Sequence, residues 1–170
     1  CCGASGAGKS TLAAYFQKAG YPLLADNLAV IRGNGSATPQ VESGNPYIHL
    51  WENSLQQLRY DEIGSLHPIR PQLTKYMLPV EDRFCATASP IVRLYVLAPA
   101  KNKLAEIRTI PAPVKIPAVL QHLAQRQIAA ALQTTAAHWR TITQIVEHAE
   151  VKALSLPAPE AFDFDALMNL

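Results

Sequence analysis

The chain of 170 residues has the length of one ordinary domain with a single core, and we predict one domain over residues 1–170. Its 15 basic and 13 acidic residues leave a net charge of +2, which argues against a nucleic-acid-binding surface. No apolar run approaches the roughly 20 residues of a membrane helix, and the three cysteines cannot all pair with one another. We therefore expect a cytoplasmic protein with free thiols that binds neither nucleic acid nor a membrane.

The predicted elements begin with a glycine-rich loop at residues 3–10, which opens directly into a helix. Apolar residues recur at helical spacing over residues 9–19, and Gly20 follows where a helix end favours a left-handed residue. Residues 21–25 form a short apolar run, which predicts a buried strand with Asp26 at its end. Strand, loop, helix and strand together predict a βαβ unit.

The start of the chain is short for such a unit, because only Cys1 and Cys2 precede the loop. We therefore expect the first strand to begin upstream of Cys1, in a longer protein, and both cysteines to be buried as small apolar side chains. The first residues show no signal-peptide pattern.

The middle of the chain is predicted to be mostly β. Two turn-forming stretches, Arg-Gly-Asn-Gly-Ser at residues 32–36 and Ser-Gly-Asn-Pro at residues 43–46, predict strands on both sides of each turn. Apolar runs predict strands at residues 47–51, 76–80 and 91–97. We expect these strands to pair as antiparallel hairpins.

The last third is predicted to be mainly helical. Helical patterns extend from Pro117 to residue 133 and over residues 135–149, and a final strand follows at residues 151–156. The Pro-Ala-Pro stretch at residues 111–113 is expected to join a strand to the first of these helices.

These elements together predict the fold class α/β, a nucleotide-binding type of domain with a mixed sheet and with the late helices packed on one face. Trp51 and Trp139 fall in apolar periodic segments, so we expect both side chains to lie in the core.

The glycine-rich loop reads Gly-Ala-Ser-Gly-Ala-Gly-Lys-Ser and matches the phosphate-loop (P-loop, Walker A) pattern G-x-x-x-x-G-K-[ST]. Its glycines let backbone N–H groups turn towards phosphate oxygens, Lys9 reaches the β and γ phosphates, and the Ser10 hydroxyl can bind Mg²⁺. The alternative is a glycine-rich helix cap that binds nothing. We interpret the loop as a nucleotide-binding site formed by Gly3, Ala4, Ser5, Gly6, Ala7, Gly8, Lys9, Ser10 and Thr11.

The class of nucleotide-binding protein depends on residues outside the loop. The guanine motif N-K-x-D has Ala105 in place of its Asp, which disfavours a GTPase, and no transporter-ATPase signature is present. Asp26 follows Ser10 by sixteen residues. A carboxylate there can accept the proton of an acceptor hydroxyl during phosphoryl transfer. It can equally cap a turn or help to hold Mg²⁺ through water.

These residues resemble the C-terminal catalytic domain of HPr serine kinase/phosphorylase and its smaller relatives. Residues 3–12 and 20–27 are similar to the loop, the helix and the A-D-D strand end of that family. Residues 43–51 resemble the P-G-x-P-x-x-x-L-W stretch of the small members, which are kinases found with lasso-peptide biosynthesis genes. The similarity continues at residues 70–76 and 92–97.

The resemblance implies a kinase that uses ATP and Mg²⁺ to phosphorylate a serine hydroxyl of a peptide or protein. Asp26 would be the catalytic acid/base, Lys9 the γ-phosphate contact and Ser10 a Mg²⁺ ligand. The family's second Asp is Asn27 here, and the L-E-I-R-G-L-G signature of true HPr kinases is absent, so a substrate like a lasso precursor peptide is favoured over HPr. The larger relatives imply a homo-oligomer.

Other side chains and functions are weighed beside these. Glu52 could be a second Mg²⁺ carboxylate or could simply begin a solvated helix. Lys75 and Arg70 could contact a substrate phosphate or serve as ordinary surface residues, and Lys75 is preferred because it lies in the resembling stretch. Two other functions stay open, a small-molecule kinase and a non-catalytic nucleotide sensor in which Asn27 marks lost catalysis.

Overall fold

The computed structural model describes residues 1–33, 38–100, 104–124 and 134–157, together with Ala131 and Leu167. The fold is mixed α/β, and one of its sheets combines parallel and antiparallel strands, as predicted. The chain forms two compact units. The first comprises Cys1–Ala7, Ile31–Val41 and Pro90–Leu170, and the second comprises Gly8–Val30 and Glu42–Ser89. The single domain expected over residues 1–170 stays a prediction.

In the described chain, strands predominate between the first helix and the last two helices, and these two helices precede the last strand. The helices are α1 (Lys9–Lys18), α2 (Glu52–Gln57), α3 (Ala112–Leu120) and α4 (Thr135–His148), with short 3-10 turns at Ile63–Ser65 and Glu81–Arg83. The strands are β1 (Cys2–Gly3), β2 (Ile31–Arg32), β3 (Gln40–Val41), β4 (Tyr47–Trp51), β5 (His67–Pro68), β6 (Lys75–Pro79), β7 (Ser89–Pro90), β8 (Arg93–Pro99), β9 (Glu106–Thr109) and β10 (Glu150–Leu156). Within the described residues, no helix has the length and apolar character needed to span a membrane.

The mixed sheet belongs to the first unit and has the strand order β1-β8-β10-β9. β8 lies between β1 and β10 and is parallel to both, with Cys2 opposite Val96 and Val151 opposite Leu94. β9 runs antiparallel to β10 at the edge. Cys2 is half-buried in β1, whereas Cys1 lies before the strand and is exposed, so the prediction that both cysteines are buried is wrong.

The core of the first unit combines strand and helix side chains. α3 and α4 contact each other, and α4 buries Ile142 and Ile145, which lie on one face because they are three positions apart. Full burial of an aliphatic side chain contributes about 1.5–3 kcal/mol relative to exposure. The buried members of this cluster are Ile91, Val96, Ile110, Val119, Ile142, Ile145, Ala149 and Val151.

A small sheet has the strand order β2-β3-β7, and β2 pairs antiparallel with β3, with Ile31 opposite Val41. Strands therefore flank the predicted turn at residues 32–36, although residues 34–37 lie outside the described part of the chain. The second predicted turn, at residues 43–46, lies between β3 and β4. The strands expected around both turns are confirmed.

The second unit contains an antiparallel sheet with the strand order β4-β6-β5. Side chains alternate along β4, so that Ile48 and Leu50 are buried while Tyr47, His49 and Trp51 lie on the opposite face. α1 and α2 both pack against β4. The buried apolar side chains of this unit are Leu12, Ala14, Leu23, Ile48, Leu50, Leu55, Leu58, Leu78 and Val80.

The predicted strand at residues 21–25 is wrong, and so is the βαβ unit. Leu23 makes only a single parallel bridge, in which its N–H donates to the Arg83 carbonyl at 2.8 Å and the Cys85 N–H donates to the Leu23 carbonyl at 2.7 Å. The ladder does not extend towards the helix, because the Tyr21 N–H donates instead to the Phe16 carbonyl at 3.0 Å and the Arg83 N–H donates to the Val80 carbonyl at 3.0 Å. β1 pairs instead with β8, which lies much later in the chain.

The helix predicted after Pro117 begins earlier than expected. Pro111 is the N-cap residue of α3, and Pro113 lies in its first turn, where a missing N–H leaves no helical hydrogen bond unmade. The Pro-Ala-Pro stretch therefore initiates the helix, and Pro117 lies inside it. The helix ends at Leu120, so its predicted continuation over residues 121–124 is wrong, and residues 125–130 and 132–133 lie outside the described residues.

The remaining predicted helices and strands are confirmed to within two residues at their ends. α1 and α4 correspond to the predicted helices, and β4, β6, β8 and β10 to the predicted strands. The expected antiparallel pairing is present between β4 and β6, but it is wrong for β8, which is parallel to both β1 and β10. α1 is followed by Gly20, whose φ of +104° is the expected left-handed conformation.

Both tryptophans are exposed, so the prediction that they belong to the core is wrong. Trp51 is 48% exposed because the alternation of β4 directs Leu50 inwards and Trp51 outwards. Trp139 is 44% exposed and lies in α4 before Ile142, the first buried residue of that helix.

Candidate active site around Ser10, Asp26 and His49

The glycine-rich loop has two residues in the left-handed conformation, Gly6 with φ of +78° and Gly8 with φ of +86°. Residues other than glycine rarely adopt these φ values. Gly3 has a different role, because a Cβ at this position would lie 3.0 Å from the Cβ of Leu97 in β8. The loop passes from the first unit to the second after Ala7. Its glycines therefore serve both the turn and close strand packing.

α1 begins at Lys9, directly after Gly8, in the second unit. Gly8 is the N-cap residue and has no side chain with which to cap the helix, although its carbonyl accepts the Leu12 N–H at 2.9 Å. The first turn of α1 contains no acidic residue. Such a helix end favours an anion, because the first N–H groups of the helix lack intrahelical partners and the positive end of the helix dipole lies there.

Ser10 and Asp26, both predicted site residues, contact each other directly. The Ser10 hydroxyl donates a hydrogen bond to Asp26 Oδ1 at 2.9 Å. Both side chains are partly buried. The carboxylate that the sequence predicts as a catalytic base therefore lies beside the hydroxyl that it predicts as a Mg²⁺ ligand.

The second carboxylate oxygen is held by the backbone of β4. The His49 N–H donates to Asp26 Oδ2 at 2.9 Å. This N–H is available because β4 is an edge strand of its sheet. An ionised carboxylate has about four lone-pair positions, so these two bonds leave roughly half of them for a further donor or a cation.

Asn27 forms the centre of a tight turn after Asp26. Its φ is +65°, and the Leu28 N–H donates to the Asp26 carbonyl at 2.8 Å, which closes a γ-turn of the uncommon positive-φ type. Asn tolerates positive φ better than most residues. The Asn27 side-chain nitrogen also lies 2.5 Å from His49 Nδ1.

The His49 ring is held in place by stacking, and its pKa favours the neutral form. The ring stacks on Tyr47, with centroids 5.0 Å apart and planes at 26°. Partial burial lowers the pKa of His49, the positive charge of Lys75 lowers it further, and the Asp26 carboxylate opposes both by raising it. The Asn27 amide nitrogen can donate to Nδ1 when that ring nitrogen carries no proton.

The other predicted site residues lie on the elements around this cluster. Glu52 is the first residue of α2, where a carboxylate favours the helix dipole, and it accepts a long 3.5 Å contact from Gln56. Lys75 on β6 lies opposite Trp51, with its Nζ 5.7 Å from the ring centroid. Thr11 shares a 2.8 Å hydrogen bond with Ser54 of α2.

A magnesium ion fits the donor atoms at this position. The Ser10 hydroxyl and the Asp26 carboxylate are hard oxygen donors, and Mg²⁺ in proteins takes one or two such ligands together with substrate phosphates and water. Among the described residues, no group of three or more His, Cys, Asp and Glu side chains could hold a metal ion. The protein atoms would therefore hold Mg²⁺ only in combination with phosphate oxygens.

His49 is the site residue that sequence reasoning missed. The five histidines of the sequence show no paired metal-ligand spacing, so His49 is not predicted as a site residue. A signal was present, since a polar residue lies at the centre of the apolar strand Tyr47–Trp51. Asn27 was noticed as a substitution, but its hydrogen bond to His49 was not expected.

Comparison of the chain with protein-family models, with curated proteins and with solved structures gives no match. The similarity to HPr kinases therefore rests on the residues quoted for it, and the activity is a proposal.

Proposed function

We propose that the protein is a P-loop kinase, similar to the HPr kinases, that uses ATP and Mg²⁺ to phosphorylate a serine hydroxyl of a peptide or protein. The observation that carries this proposal is the 2.9 Å hydrogen bond from Ser10 to Asp26, one residue into the helix that follows the glycine-rich loop. It joins a metal-binding hydroxyl to a carboxylate that can act as a base.

The proposed reaction is a direct transfer. The serine oxygen of the acceptor forms a bond to the γ-phosphorus, the bond from that phosphorus to the β–γ bridging oxygen breaks, and ADP leaves with the electron pair. The hydroxyl proton passes to Asp26. Lys9 stabilises negative charge on the phosphates, and Mg²⁺, when bound, neutralises their charge as well.

The geometry of Asp26 is compatible with this task. The hydrogen bonds from Ser10 and from the His49 N–H orient both carboxylate oxygens and leave lone pairs for an incoming hydroxyl. The same geometry supports a role in holding Mg²⁺ through water. If Asp26 is the base, its removal stops phosphoryl transfer while phosphate binding persists, and this result distinguishes the base from a Mg²⁺-holding carboxylate.

The nature of the acceptor follows from the resemblance of residues 43–51 and 70–76 to the small lasso-associated kinases, so we propose a precursor-like peptide as substrate. We also propose a cytoplasmic location and an oligomer of identical subunits. None of the three cysteines forms a disulfide, which supports a reducing compartment.

One rival function has an observation in its favour. Asn27 occupies the position of the family's second Asp and cannot carry charge, which would suit a nucleotide sensor that binds without transferring phosphate. A small-molecule kinase is the other rival, although the sequence contains no Arg-rich lid segment.

The test combines γ-labelled ATP, Mg²⁺ and a panel of serine peptides with the wild type, Asp26→Asn and Asp61→Asn. Asp61 is an exposed carboxylate in a turn and serves as the matched control. We expect label transfer by the wild type and Asp61→Asn and a loss of roughly 10²–10⁴-fold in Asp26→Asn, with ATP binding retained. ATP binding without transfer to any peptide would favour the sensor or a small-molecule substrate, and absence of ATP binding would overturn the proposal.

A further inference from the structure

A single residue, His49, forms hydrogen bonds to both Asp26 and Asn27 in the turn that carries the carboxylate. His49 makes two hydrogen bonds to consecutive residues, from its backbone N–H to Asp26 Oδ2 at 2.9 Å and from its Nδ1 to the Asn27 amide at 2.5 Å. One bond holds the carboxylate and the other holds the residue at the centre of the γ-turn. Neither bond was anticipated from the sequence.

The position of His49 makes it a rigid support. It lies in the middle of β4, which pairs with β6 along its whole length, and its neighbours Ile48 and Leu50 are buried. The ring is fixed by stacking on Tyr47. A strand with buried neighbours moves much less than the exposed segment that follows Asp26, in which Asn27 and Leu28 are both exposed.

We propose that His49 is a positioning residue, whose hydrogen bonds to Asp26 and Asn27 hold the Asp26 carboxylate against the Ser10 hydroxyl. This inference rests on the proposed function for its catalytic consequence. Its structural content, the placement of the carboxylate, does not depend on which reaction the protein catalyses.

The ring contact is what distinguishes His49 from any other residue of β4. The Asn27 side-chain nitrogen lies 2.5 Å from His49 Nδ1, and stacking on Tyr47 holds the plane of the ring towards Asn27.

Two substitutions distinguish the contribution of the His49 ring from that of the His49 backbone N–H. His49→Asn retains an acceptor oxygen near the place of Nδ1, whereas His49→Leu has a similar size and no acceptor. Both retain the backbone N–H that binds Asp26, so their difference measures the bond to Asn27. Asn27→Ala removes the same bond from the other side and should add little to His49→Leu.

The closing experiment has a structural arm and a kinetic arm. In crystal structures we expect the Ser10–Asp26 hydrogen bond in the wild type and in His49→Asn but not in His49→Leu. An unchanged Ser10–Asp26 contact in His49→Leu would overturn the proposal whatever the enzyme does.

In the kinetic arm we expect kcat to fall roughly ten-fold in His49→Leu, the size of one hydrogen bond, with the KM for ATP unchanged and with kcat restored in His49→Asn. Equal losses in the two variants, or a change in KM alone, would contradict a positioning role. If the wild type transfers no phosphate, the proposed function fails while the structural arm still tests His49.

Discussion

Ser10 and Asp26 lie sixteen residues apart in the sequence and meet in a 2.9 Å hydrogen bond from the serine hydroxyl to the aspartate carboxylate. The serine begins a helix and the aspartate begins a γ-turn, so each is placed by a different local structure. Their contact joins the glycine-rich loop to the turn within the second unit.

Removal of the Ser10 hydroxyl should weaken Mg²⁺-dependent nucleotide binding. Ser10→Ala deletes both the predicted metal ligand and the hydrogen bond to the charged Asp26, an interaction worth about 1.5–3 kcal/mol. We expect the affinity for ATP measured by calorimetry to fall roughly ten-fold or more with Mg²⁺ present, and much less in its absence.

Ser10→Thr retains the hydroxyl and should bind as the wild type does. Ser65→Ala removes a serine that caps a distant turn through a 2.8 Å bond to Glu62, and it serves as a control. Equal affinity of Ser10→Ala and the wild type with Mg²⁺ present would refute a role for this hydroxyl.

The left-handed backbone of the loop can be tested with two glycines that differ in φ. A Cβ would meet nothing within 4 Å at either Gly6 or Gly64, but only Gly6 has a positive φ, of +78°. Gly6→Ala should therefore lower the free energy of unfolding by about 1–2 kcal/mol, and Gly64→Ala should leave it nearly unchanged. Urea unfolding of the two variants measures the difference, and equal effects would exclude a conformational cause.

The exposure of Trp51 predicts a small effect on stability. Trp51→Ala should lower the free energy of unfolding by less than about 1 kcal/mol, mostly through its contact with Lys75. Leu50→Ala in the same strand removes a side chain that is 1% exposed, and it should cost about 2–5 kcal/mol. Thermal or urea unfolding compares the two, and a larger loss for Trp51→Ala would mean that the tryptophan is buried after all.

The stability of the fold should depend on pH through His49. Burial lowers the pKa of His49 below its unfolded value of 6.5. At pH values between the folded and the unfolded pKa, the unfolded state therefore binds more protons than the folded state. The contribution of His49 is therefore fully present above the unfolded pKa and is lost as the pH falls through the folded pKa. Urea unfolding of wild type and His49→Asn on both sides of this range should show a steeper loss on acidification for the wild type, and parallel curves would contradict the assignment.

Replacement of Asn27 by Asp should raise the pKa of His49. A carboxylate at position 27 can only accept, so it requires a proton on His49 Nδ1 and stabilises the charged ring. We expect an NMR titration to give a higher pKa for His49 in Asn27→Asp than in the wild type. Asn53→Asp, at an exposed position of α2, adds the same charge elsewhere and should leave the pKa nearly unchanged.

The sequence by itself determined the features that depend on local backbone chemistry. The apolar spacing of α1 and α4 and the apolar run of β4 each predict an element from neighbouring residues, and these elements are present.

Only the tertiary structure decided which residues meet. The Tyr21 N–H bonds back to the Phe16 carbonyl at the end of α1, so the residues after the helix form only the single bridge at Leu23 and the expected βαβ unit does not form. The register of β4 directs Trp51 outwards. His49 reaches Asp26 across 23 residues because β4 is an edge strand with an N–H free to donate in that direction. Strand order, register and edge exposure arise from pairing between segments that are distant in the sequence. The spacing of apolar residues within one segment does not show which other segment it pairs with.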